Sequence, residues 1–163
     1  MPFDLHPEYP AEGIPRTDLV RRYGEGFHRN LQLAFDREGL VYNPPPAVVP
    51  NSHAALRLTE LARLQGKHGV THDRLMRAYW EEGLNIGDPP VLSALSTELG
   101  LEDTDAAIVG NQYADQIERA TAQAHAIGIN AIPAFLLDRR LIVLGAQTPE
   151  TFEQAFEQLG RSG

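Results

Sequence analysis

The sequence predicts a helix-dominated α/β domain. Several segments place apolar residues at i, i+3, i+4 and i+7, which is one face of a helix, and only one late stretch reads as paired strands. That stretch follows Gly128, where Ala134-Phe135-Leu136-Leu137 and Leu141-Ile142-Val143-Leu144 flank a turn at Asp138-Arg139-Arg140. Punctuation agrees with the periodicity: Gly39, Gly83, Gly100 and Gly128 each close an apolar stripe, as glycine does just past a helix end.

The opening holds Pro2, Pro7, Pro10 and Pro15, so only a brief edge strand around Phe3 and Leu5 is expected before a loop. A helix is expected after Thr17 as N-cap, burying Phe27, Leu31, Ala34 and Phe35 and ending at Gly39. Four prolines between Val41 and Pro50 read as an extended, polyproline-like connector with little use for backbone donors. The next helix starts at Asn51 or Ser52, with Leu58, Leu61 and Ala62 inside, and stops between Gly66 and Gly69. Thr71 is expected to cap a helix carrying Leu75, Met76, Tyr79 and Trp80. Asp88-Pro89-Pro90 is a helix start leading to Leu92, Leu95 and Leu99. A short helix follows Asp103 or Thr104, and a longer one aligns Tyr113, Ile117, Ala120, Ala124 and Ile127. Thr148-Pro149-Glu150 opens the last, burying Phe152, Ala155, Phe156 and Leu159 and ending at Gly160.

Composition narrows the chemistry. The 163 residues carry 14 Lys and Arg against 22 Asp and Glu, a net charge of −8, which repels phosphate backbones and argues against nucleic acid as a partner. No apolar run approaches the ~20 residues that span a bilayer, and no basic flank with an apolar stretch opens the chain, so no membrane role and a cytoplasmic location are expected. There is no cysteine, which removes disulfides, thiolate nucleophiles and iron–sulfur ligation from this polypeptide. No metal or cofactor is expected either. His68 and His72 are four apart, but Gly69 and a Thr71 cap would keep them off one helical face. Glu81 and Glu82 are adjacent and diverge by about 100° on a helix. Gly24-Glu25-Gly26 follows no strand, and Ser52, Ser93, Ser96 and Ser162 sit in no nucleophile elbow.

The informative segment is Gly128-Ile129-Asn130-Ala131-Ile132-Pro133-Ala134-Phe135, a helix end running into a strand that begins just after a proline. Proline at a strand's entry leaves the preceding polar groups off the ladder, and a cis Ile132–Pro133 bond would turn them outward to pair with an extended peptide.

This run, with Gly145-Ala146-Gln147-Thr148-Pro149-Glu150, resembles the DsbA-like branch of the thioredoxin superfamily, and within it the FrnE-type proteins. Ala78-Tyr79-Trp80-Glu81-Glu82-Gly83-Leu84-Asn85-Ile86-Gly87-Asp88 is similar to that family's "A-Y-F-x-E-G-x-D-I-x-D" helix end. Phe3-Asp4-Leu5-His6-Pro7 with Glu12-Gly13 resembles its second strand and loop, and Asn51-Ser52 its "N-T" helix start, with Leu56 where the family has histidine.

The resemblance implies an incomplete thioredoxin-like sheet with a large helical insertion: one domain over 1–163, with 1–16 and 111–163 thioredoxin-like and 17–110 mainly inserted helices. It also implies that Pro133 is cis and that Ile132 and Pro133 bind an extended peptide or protein client opposite a Cys-x-x-Cys pair. Here that pair and its helix are missing, since Met1 falls at the family's second strand and a strand–helix unit of roughly 30 residues lies before it. The implied activity is protein thiol–disulfide exchange, with this chain a truncated, redox-inactive form. The alternatives are a non-catalytic peptide-binding module and a glutathione-using isomerase relative. A missing central strand leaves edges that direct pairing, a partner or strand exchange in a homodimer would cover.

Overall fold

A computed structural model describes residues 2–161; Met1, Ser162 and Gly163 lie outside it. Among the described residues the order is β1 (Ile14–Pro15), α1 (Arg16–Tyr23), α2 (Phe27–Arg37), β2 (Val48–Val49), α3 (His53–Leu64), α4 (His68–Trp80), α5 (Pro89–Glu98), α6 (Asp105–Ile108), α7 (Ala114–Ala126), β3 (Ala134–Leu137), β4 (Leu141–Leu144) and α8 (Pro149–Arg161). The strands form two separate antiparallel pairs, β1 with β2 and β3 with β4. The described residues form a helix-rich α/β fold whose sheet content is small.

The largest cluster of buried apolar side chains runs from Ala54 to Ile108. It is built by α3 through α6, because α3 offers Ala54, Ala55, Leu58, Leu61 and Ala62 on one stripe and α5 answers with Leu92 and Leu95. Leu58 and Leu92 are wholly buried, each removing enough apolar surface to contribute about 2 kcal/mol. Asp88 in extended conformation and proline at the first position fix the start of α5. The buried Ser96 hydroxyl is satisfied within its own helix, donating to the Leu92 carbonyl at 2.7 Å. Glu60, also buried, is held by Arg63 at 3.1 Å and by the Gln116 amide at 2.6 Å, which ties α3 to α7.

Several expectations are corrected. Phe3 and Leu5 form no strand; this segment is held instead by the Asp4 N–H, which donates to Thr121 Oγ1 at 3.0 Å. The first helix starts at Arg16, with Thr17 inside it, and breaks at Gly24-Glu25-Gly26, where Gly24 takes a positive φ of 87°. Its second part buries no residue fully, and Ala34 is exposed. The proline-rich connector does pair: Val48 and Val49 carry free donors between Pro46 and Pro50 and ladder with Pro15 and Ile14. Arg16 clamps that connector, donating from Nε to the Pro45 carbonyl and from Nη2 to Tyr79 Oη at 3.2 Å.

Thr71 is not a cap. α4 begins at His68, Thr71 is wholly buried inside it, and His68 and His72 share a face with stacked rings 6.1 Å apart, since one glycine does not stop a helix. Met76, Ile127 and Phe156, expected inside, are exposed. In α8 only Ala155 is buried, and the helix runs past Gly160 to Arg161.

Candidate functional site

The segment from α7 to α8 forms the candidate site. α7 ends as its apolar stripe ends: Gly128 turns at φ 90°, its N–H donates to His125 O at 2.9 Å, and the Ile129 N–H reaches back to Ala124 O at 2.9 Å. Ile129 is thereby buried, while Asn130, Ala131, Ile132 and Pro133 lie on the surface.

The Ile132–Pro133 peptide bond is cis. Ile132 is 57% exposed, and its backbone N–H and carbonyl make no hydrogen bond among the described residues. Pro133 is anchored, its carbonyl accepting from the Gly145 N–H at 2.7 Å. The proline step and the Gly-Ala-Gln step, distant in sequence, therefore meet. Gly145 takes φ 82°, and Gln147 Nε2 donates to Leu144 O at 2.7 Å, holding the turn that brings them together.

β3 and β4 pair in register from Ala134 with Leu144 to Leu137 with Leu141. Among the described residues β3 has no second neighbour, so its outer edge keeps a row of free backbone groups continuous with those of Ile132. From Gly128 to Leu137 there is no charged residue, and Phe135 and Leu136 are exposed. Phe135 meets Phe152 of α8 edge to face at 5.0 Å. Glu150, in the first turn of α8, has its carboxyl held below the ordinary value by its own backbone N–H and by Thr148. Between Gly128 and Gln147 charge is confined to the hairpin tip, where Asp138 and Arg140 pair at 2.9 Å. The arrangement suits β-augmentation by an extended, uncharged segment.

A second polar group lines a separate cavity, and no motif in the sequence brings its members together: Asp4, His53 and Arg57. The one available signal is the spacing of His53 and Arg57, four apart and so on one face of α3. Among the described residues no three His, Asp or Glu side chains are grouped to hold a metal ion. Among the described residues no helix is long and apolar enough to cross a membrane.

The chain is 27% identical over 159 residues to the uncharacterized protein YwbO of Bacillus subtilis, covering 95% of this chain and 78% of that protein. It superposes with a TM-score of 0.83 on the crystal structure of a probable DsbA oxidoreductase from Streptomyces coelicolor, at 28% identity, covering 96% of this chain and 72% of that one. The family model of the DSBA-like thioredoxin domain matches residues 1–157, and the chain belongs to that family.

Proposed function

We propose that this chain is the client-binding part of a DsbA-like, FrnE-type thiol–disulfide oxidoreductase, and that these 163 residues bind extended apolar peptides without themselves exchanging disulfides. The observation that carries this reading is the exposed Ile132, whose free backbone groups continue into the unpaired edge of β3. A peptide laid along it gains main-chain hydrogen bonds, and Phe135 and Leu136 offer apolar contacts.

Disulfide exchange begins when a thiolate attacks one sulfur of a disulfide and expels the other. The chain contains no cysteine, so that nucleophile has to come from outside these residues. The same unpaired edge is where a second copy would add a strand, giving a homodimer that competes with the client.

The test uses fluorescein-labelled, reduced and carboxymethylated insulin B chain, with fluorescence polarisation for binding and insulin reduction by dithiothreitol for activity. Binding is expected, weakened by Ile132→Asp, with no acceleration of insulin reduction. Binding indifferent to Ile132→Asp would overturn the peptide site, and accelerated reduction would overturn the redox assignment.

A further inference from the structure

We propose that the cavity between the N-terminal segment, α3 and α7 is a binding site for a small carboxylic acid with an apolar body, its carboxylate held by Arg57 and His53.

The cavity measures about 450 Å3, within the range of small-molecule sites. Arg57 lies half-buried on its wall. Its Nε donates to the Ala107 carbonyl at 2.8 Å and its Nη2 to Ile108 at 3.2 Å, the last carbonyls of α6, so the guanidinium plane is fixed. No carboxylate pairs with it among the described residues. Burial lowers its pKa, as for a cation withdrawn from water without a counter-ion. An anion delivered to the free end of the guanidinium, at Nη1 and the second N–H of Nη2, supplies that counter-ion with the two parallel donors that suit a carboxylate.

His53 stands one turn before Arg57 on the same face of α3. Its Nε2 is buried and lies 2.5 Å from Asp4 Oδ2 without hydrogen-bond geometry, and the Asp4 side chain is only 7% exposed. The other Asp4 oxygen accepts the His6 N–H at 3.2 Å. The carboxylate is thus set against its own neighbours, and the His53 Nδ1 makes no hydrogen bond among the described residues.

Pro7, Ala114 and Ile117 supply apolar wall, which favours a ligand with a hydrocarbon body over a bare inorganic anion. Glu118, also on the rim, is exposed and stays in water.

The experiment is a titration of the 15N-labelled chain with benzoate and, in parallel, with benzamide, its uncharged counterpart of the same shape, followed by amide chemical shifts. Saturable shifts at Arg57, Ile117 and Thr121 are expected with benzoate, at roughly tenfold or greater affinity over benzamide. Arg57→Gln is expected to abolish that preference, and Arg57→Lys to restore part of it. Equal affinity for the two compounds, or no saturable shift around the cavity, would overturn the proposal. The comparison is made on the unaltered chain, so it stands even where an Arg57 variant loosens α6. Shifts confined to residues 128–137 would place the ligand at the peptide site and also count against it.

Discussion

Asp4 and His53 close the contact between the N-terminal segment and the first turn of α3 at 2.5 Å, across 49 positions of sequence. Deleting either partner leaves the other polar and underpaired in a largely buried place. Asp4→Asn and His53→Gln are each expected to cost about 1–3 kcal/mol in urea unfolding. The double variant should cost less than the sum, because the second change removes a group already orphaned. Strict additivity would show that the pair is not coupled.

Gly13 and Gly66 both adopt positive φ, 79° and 69°, yet stand in different surroundings. A Cβ on Gly13 would fall 2.3 Å from the carbonyl of Val49 in the β1–β2 ladder, whereas nothing lies within 4 Å of one on Gly66. Gly66→Ala should therefore cost about 1 kcal/mol, the left-handed penalty alone. Gly13→Ala should cost at least about 2 kcal/mol through overpacking as well, and amide shifts should report loss of the Ile14–Val49 pairing.

The hairpin loop, Asp138-Arg139-Arg140 between the paired Leu137 and Leu141, places two non-glycine residues, Asp138 at φ 49° and Arg139 at φ 55°, in the left-handed region that glycine favours. Arg139→Gly relieves one left-handed side chain and is expected to raise stability by about 0.5–1 kcal/mol, read as a higher urea midpoint with unchanged slope.

Burial, and then the nearby Arg63, hold the His68 imidazole below its ordinary value of 6.5. As pH falls, the unfolded chain takes up this proton before the folded one does. The contribution is therefore complete above about pH 6.5 and is lost progressively as pH drops toward the lowered folded value. His68→Gln should flatten the fall in melting temperature between about pH 7 and about pH 5.

Much of the fold is legible in the sequence because local signals there are strong. The Asp88-Pro89-Pro90 start, the stripe of Leu58, Leu61 and Ala62, and the β3–β4 hairpin all follow from periodicity and capping. One miss was local, α4 running through Gly69 and Thr71, and others depended on distant partners. Phe3 and Leu5 have strand composition but no strand beside them, and Val48 and Val49 pair only because the fold brings Ile14 and Pro15 to them. At the site, Ile132 and Pro133 are marked by a proline before an apolar strand, while the clasp from Gly145 becomes visible only once the hairpin closes. Asp4, His53 and Arg57 belong to no linear pattern, so tertiary packing alone assembles their cavity.

The large apolar cluster stops at Ile108, while the hairpin and α8 contribute only Val143 and Ala155 to the buried set. Protection of amide hydrogens against exchange should therefore fall into two tiers. Leu58 and Leu92 amides exchange only through global unfolding, whereas those of Phe135 and Val143 exchange through a cheaper opening confined to the C-terminal unit. That opening is the clock against which a client strand adding to β3 would be read, as selective slowing of exchange in the hairpin with α3 and α5 unchanged.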